Sequence, residues 1–292
     1  LVKESRNIPE TNPSAGFKSA TGNPPFHWKP SIFTALPLPL FIGMVTLFDI
    51  ILPPTPQFSR ALAFEPPYLN AVLYTVFLFF TSYLVAYVSL KSYLQTGMTF
   101  LVLLGSGTLA WGSVSLLAGW MTNLPSGPNP AITISNTGAL LAGALHLASS
   151  IGATGGTKQN RPSLRKPILG IFYGGVLLST AVLTLASLEG LTPAFFILGV
   201  GQTLLRMIVL ASAAAMFGVS ALLFTRLYLS SESASSILYW YILALALTGV
   251  GLAAVFFGRA PGDPISWTGR AAMFLGGVYF LKAVRSSFKG GV

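Results

Sequence analysis

Cysteine is absent from the 292 residues, histidine occurs twice, and only 8% of the chain is charged. The missing cysteine excludes disulfides, thiolate metal sites and cysteine nucleophiles. The scarcity of charge excludes a water-facing globular surface, because soluble domains carry about 25% charged residues. Acidic residues are scarcer still, seven against 17 Lys and Arg. No paired carboxylates fall within the apolar stretches, which argues against a proton-coupled transporter. HExxH, Walker and GxSxG sequences are also missing, so the chain is not expected to be an enzyme.

What remains is apolar. The composition is 53% hydrophobic with a mean hydropathy of +0.70, and uncharged runs of membrane-crossing length recur. A hydrocarbon core of ~30 Å needs about 20 such residues per helix. Lipid offers backbone groups no hydrogen-bond partner, so helices or a closed barrel are required, and runs without alternation select helices. The expected fold is all-α, a polytopic bundle with spans at 31–52, 69–90, 98–121, 132–153, 168–188, 204–227, 237–257 and 269–287. Residues 1–30 form a polar tail rich in Pro, Ser and Asn, and 31–292 form the membrane domain. Pro37 and Pro39 are expected to kink or break the first turn of the first span. Gly170 and Gly174 make a GxxxG, Ala214 and Gly218 a similar pair, and Gly249, Gly251, Gly276 and Gly277 are further small residues. All are expected to bring helices together within the bundle.

Basic residues alternate with these spans. Lys3, Arg6, Lys18, Lys29, Lys91, Lys158, Arg161, Arg165, Lys166, Arg226, Lys282, Arg285 and Lys289 fall on one side; Arg60, Arg206, Arg259 and Arg270 fall on the other. Cytoplasmic loops collect Lys and Arg, so the first side is inside and both termini are cytoplasmic. Glu4, Glu10 and Glu232 also lie inside. Asp49, Glu65, Glu189 and Asp263 lie outside and balance the four arginines there. The inner excess explains the net charge of +10 through topology and anionic lipid. No nucleic-acid partner is expected, since basic and aromatic residues do not interleave in a patch.

Ionisable groups within spans are the first functional candidates. Asp49 ends the first span and Arg206 begins the sixth. Arg206 can pair with Asp49 or Glu189, or both groups can simply reach interfacial water. His146 lies well inside the fourth span, as a proton acceptor, a haem or chlorin ligand, or a packed hydrogen-bonded group. A bis-histidine haem is excluded because His27 is in the tail. Asn136, with Asn129, Gln202, Trp111 and Trp120, can line an outward-facing polar pocket. Trp28, Trp120 and Trp267 read as interfacial belt residues and Trp111 as protein-facing. The run from Gly152 to Gly156 reads as a flexible loop. No metal site is expected, and the sequence does not identify a cofactor.

Several segments resemble the multi-helix membrane sensor region at the N-terminus of bacterial PAS-containing histidine kinases. They include Leu69-Asn70, Val85-Ala86-Tyr87, Lys91-Ser92-Tyr93-Leu94 and Leu103-Leu104-Gly105. The most specific are Gly127-Pro128-Asn129, Asn136-Thr137-Gly138-Ala139-Leu140-Leu141 and His146-Leu147, followed by Gly269-Arg270-Ala271-Ala272 and Leu275-Gly276-Gly277-Val278-Tyr279. The resemblance spans residues 69–288. It implies a sensor-type signalling module in the cell (inner) membrane, here without an output domain before Val292. Its partners would be the lipid bilayer and proteins at the cytoplasmic face or within the membrane. An accessory subunit of an electron-transfer or pigment complex is the alternative, and a transporter the weakest reading.

Overall fold

A computed structural model describes residues 32–53, 61–66, 68–124, 128–156, 159–197, 200–231 and 236–289. The tail of residues 1–30, and with it His27 and Trp28, lies outside the described residues, as do Arg60, Gly127, Lys158 and Glu232. Among the described residues there are eight helices: α1 (Pro37–Ile51), α2 (Leu69–Thr96), α3 (Thr99–Met121), α4 (Pro128–Thr154), α5 (Pro162–Leu188), α6 (Leu204–Ser230), α7 (Ser236–Phe257) and α8 (Pro264–Lys289). A two-stranded hairpin, β1 (Phe196–Ile197) and β2 (Gly201–Gln202), precedes α6. The fold is all-α, and the chain is a polytopic membrane protein.

Six helices, α2 to α7, are long and apolar enough to cross a membrane. The other two differ from expectation. At 15 residues α1 reaches only about 22 Å, at 1.5 Å per residue, short of the full hydrocarbon core. Arg270, Lys282 and Arg285 make α8 the least apolar of the long helices. Pro37 and Pro39 break the start of the span, as expected: Ile32–Thr34 is a 3-10 turn and α1 begins only at Pro37. Both sit in its first turn, where a missing N–H leaves no intrahelical bond unmade.

Helix packing follows a closed circuit. Neighbours pack in the order α2–α3–α4–α6–α7–α8 and back to α2. α1 leans on the outside against α7 and α8, and α5 against α3 and α4. Burial agrees: 78% of the apolar window of α3 is buried against 17% of that of α5. Small residues set the close approaches of the ring. A Cβ at Gly277 of α8 would strike the Phe77 carbonyl of α2, and Gly249 of α7 lies against Ala214 and Gly218 of α6. The GxxxG of α5 behaves differently from expectation. A Cβ at Gly170 or Gly174 would meet nothing within 4 Å, so this face points away from the ring. Gly152 also departs from its reading as loop, since α4 continues to Thr154.

Hydroxyls inside the helices are largely answered by their own backbone. Ser106, Ser113, Ser220 and Thr248 each donate to the carbonyl four residues back, a pairing that needs no neighbouring helix. The middle of the ring is filled by aromatic rings in edge and tilted contacts. Trp111 meets Phe217 at 5.8 Å, Phe217 meets His146 at 5.3 Å, His146 meets Tyr241 at 5.9 Å, and Tyr241 meets Phe280 at 5.5 Å.

Candidate functional site

The segments that follow α1, α3, α5 and α7 gather at one end of the ring. Asp263 is the N-cap of α8. Its Oδ1 accepts from Ser266 N at 2.7 Å, and its Oδ2 accepts from the backbone N–H of Arg259 at 2.7 Å and of Ala260 at 3.0 Å. That turn aims Arg259 at the C-terminus of α1. The guanidinium donates to the carbonyls of Leu52 (2.6 Å), Pro53 (3.1 Å) and Asp49 (2.9 Å), and to Asp49 Oδ1 at 2.8 Å. Asp49 therefore pairs with Arg259 rather than Arg206. The physical reason is placement: α1 packs outside the ring on α7 and α8, while Arg206 opens α6. Glu189 does not pair with Arg206 either; the only ion pairs among the described residues are Arg259–Asp49 and Arg270–Glu65.

Residues 61–66 lie over the start of α8. Phe64 N donates to Gly262 O at 2.9 Å, Trp267 Nε1 donates to Phe64 O at 2.6 Å, and Arg270 donates to Glu65 Oε2 at 2.8 Å. The other Glu65 oxygen accepts from Asn70 Nδ2 of α2. Across the ring, the β1–β2 hairpin hangs from α4. Asn129 Oδ1 accepts from Phe195 N at 3.0 Å and Phe196 N at 2.9 Å. Thr203 then caps α6, its Oγ1 accepting from Arg206 N at 3.3 Å.

These pieces surround a cavity of about 360 Å³, to which every helix of the ring contributes a wall. Asn70 and Tyr74 come from α2, Ser135 and Asn136 from α4, and Arg206 from α6. Arg270 comes from α8, and Gln202 from the hairpin, while Gly119 of α3 and Val255 of α7 add apolar surface. Tyr74 begins a stretch of π-helix, Tyr74–Phe80, a distortion that recurs at functional sites. About two to four turns deeper along the same helices, the Trp111, Phe217, His146 and Tyr241 rings pack on one another, and none of them lines the cavity.

The walls hold hydrogen-bonding capacity that the protein itself does not use. Asn70 Oδ1, Asn136 Nδ2, Gln202 Oε1 and Arg206 Nε are buried without a partner, four of the ten such atoms among the described residues. The other six are spread over α2 to α5. Each unmet group costs roughly 1–3 kcal/mol, and all four belong to residues that line the cavity. Asn136 is 4% exposed. Arg270 and Arg259 are answered by carboxylates. Arg206 makes no ion pair among the described residues, so the cavity carries one uncompensated positive charge.

Of the seven sequence candidates, the structure brings Asn136, Gln202 and Arg206 together as cavity walls. Asn129 stands one step back and holds the hairpin. Asp49 belongs to the α1 clamp. Trp111 and His146 lie outside the cavity, in the packed aromatic interior: His146 is fully buried, its Nδ1 is 2.7 Å from the Tyr241 hydroxyl, and its ring packs flush against Gly107. Trp120 donates to Thr75 Oγ1 at 3.1 Å near the same end. Glu65, Asn70, Tyr74 and Arg270 are walls that sequence reasoning missed. The outward placement of Glu65 and Arg270 with opposite charges was the available signal, but their separation of 205 residues gave no spacing to connect them. Among the described residues no three His, Asp or Glu side chains gather to hold a metal.

Comparison with family profiles, with curated proteins and with solved structures found no match.

Proposed function

We propose that the chain is a sensor-type membrane module that binds a small polar solute in the ring cavity and reports occupancy through α8. The observation that carries this reading is that four residues lining one cavity at one end of the ring each carry a buried polar atom without a partner. Pockets with a few convergent polar groups on apolar walls are the usual form of small-molecule sites. α8 joins the cavity to the far end, since Arg270 is a wall and Lys282 and Arg285 lie three turns or more beyond it. The module binds its solute and does not transform it.

In this reading all eight helices cross the cell membrane, α1 with the turn Ile32–Thr34 before it adding to its length, both termini lie in the cytoplasm, and the cavity opens outward. Support comes from the basic residues: Lys91, Arg165, Lys166, Arg226, Lys282 and Arg285 all belong to the end opposite the cavity. The expected partner is a protein at that cytoplasmic end. The absence of cysteine makes the test clean. A spin label on Arg285→Cys in nanodiscs is to change mobility when a solute that stabilises the protein is added, from a panel of organic acids, amino acids, sugars and inorganic anions. A solute that binds and leaves the label unmoved would reduce the module to a binding protein. In intact cells, an impermeant maleimide is to label Asn123→Cys and spare Arg285→Cys; the reverse pattern would invert the topology.

A second reading, as an accessory subunit of a larger membrane complex, is favoured by the outward GxxxG face of α5. A Gly174→Cys variant in native membranes is then to crosslink to one defined partner helix, and a face left to lipid would give none. The packed Trp111, Phe217 and His146 rings in the middle of the ring count against the weaker transporter reading.

A further inference from the structure

The chemistry of the walls narrows what the cavity holds. Two of the three arginines that border it are already neutralised, Arg259 by Asp49 and Arg270 by Glu65, each at 2.8 Å. Arg206 is not, and its position adds to the excess of positive charge. It is the third residue of α6, inside the turn where the helix dipole is itself positive. A cation there is unfavourable and an anion favourable, so a bound anion would answer both the side chain and the helix end. Asn136 Nδ2 is a second unused donor on the adjacent helix. On the other side of the balance, Gln202 Oε1 and Asn70 Oδ1 are unused acceptors.

We infer that the cavity binds a small organic monoanion, a monocarboxylate that also carries a hydroxyl. The carboxylate lies against Arg206 and Asn136. The hydroxyl donates to Gln202 Oε1 or Asn70 Oδ1. One uncompensated charge matches one carboxylate and leaves a dianion such as phosphate half unmatched. The apolar contributions of Gly119 and Val255 to the wall suit a carbon skeleton rather than an inorganic ion. The inference rests on reading the cavity as a ligand site, and it does not depend on α8 transmitting anything.

The test is calorimetric titration of the full chain in nanodiscs with glycolate, 3-hydroxybutyrate and 4-hydroxybenzoate. Acetate, butyrate and benzoate control for the hydroxyl, 4-hydroxybenzamide for the charge, and inorganic phosphate for the anion class. At least one hydroxy acid is expected to bind, with its uncharged amide about ten- to hundredfold weaker and its hydroxyl-free analogue about three- to tenfold weaker. Arg206→Gln is expected to bring the acid down to the affinity of the amide, while its ligand-free melting temperature does not fall. Arg206→Lys is to retain the preference for the acid, and Gln202→Leu is to weaken the preference for the hydroxyl. Binding of phosphate or of neutral solutes with no hydroxy acid bound would overturn the ligand class and leave the sensor reading standing. Hydroxy-acid binding that is unchanged in Arg206→Gln would overturn the role of Arg206. Binding of none of these solutes would overturn the ligand class and the cavity as a site together. Hydroxy-acid binding without movement of the Arg285→Cys label would sink the sensor reading alone.

Discussion

Two arginines sit in the first turn of a helix at opposite ends of this bundle, and their surroundings differ completely. Arg165 opens α5. Its guanidinium donates to Leu94 O (2.9 Å), Gln95 O (2.7 Å) and Thr96 O (3.3 Å), and to Asn160 O at 3.3 Å. The last carbonyls of α2 have no intrahelical donors, so this one side chain closes the helix. Asn160 completes the same corner, donating to Tyr93 Oη at 3.0 Å and Thr99 Oγ1 at 3.2 Å. Arg206 opens α6 with no such partner, beside three further unmet polar atoms and a cavity. Both cations face an unfavourable helix dipole. At the α2–α5 corner the protein supplies the compensation, and at the cavity no described residue pairs with Arg206. On the proposed function, the contrast separates a group that builds the fold from one kept for a guest.

The largest expected effect lies at the closed corner. Gly97 ends α2 in the left-handed region at φ +75°, and a Cβ there would lie 2.7 Å from both Arg165 Nε and Asn160 O. Gly97→Ala combines backbone strain with displacement of the clamp and is expected to cost about 3 kcal/mol in reversible unfolding. Arg165→Ala leaves the α2 carbonyls unanswered and is expected to cost about 2 kcal/mol. Arg259→Ala releases α1 from the ring by the same logic at the other end, at about 1 kcal/mol because Asp49 is 42% exposed and partly screened. Selective proteolysis near residue 52 would detect that release before global unfolding. The smallest effect is expected at Gly174→Ala on the outward side of α5, within about 0.5 kcal/mol of zero. A large loss there would mean that the face packs against something.

Hydropathy carried most of the fold. All eight helices are visible as apolar runs, because lipid makes length and polarity almost the sole requirement. The ring order α2–α3–α4–α6–α7–α8 was hidden, since it depends on which small residues meet. Gly277 against Phe77 cannot be told from Gly174, which has nothing against it, by spacing alone. The same holds for the charges. Asp49, Arg206, Arg259 and Arg270 are legible as residues of one end, but their pairing follows from the placement of α1 outside the ring. Asn136 and Gln202 were found from polarity near span ends. Asn70 and Tyr74 were missed because at the start of an apolar run they look like ordinary interfacial residues.

The distinction between the two arginines is open to one direct comparison, the melting temperatures of ligand-free Arg165→Gln and Arg206→Gln against the unsubstituted chain. Arg165→Gln is expected to melt several degrees lower, at roughly 2–4 °C per kcal/mol for a chain of this size. Arg206→Gln is expected to melt no lower than the parent, or higher, because it removes an unpaired charge from a partly buried site. A fall in Arg206→Gln as large as that in Arg165→Gln would show that Arg206 already has its partner within the protein, and the cavity would lose its unmatched charge.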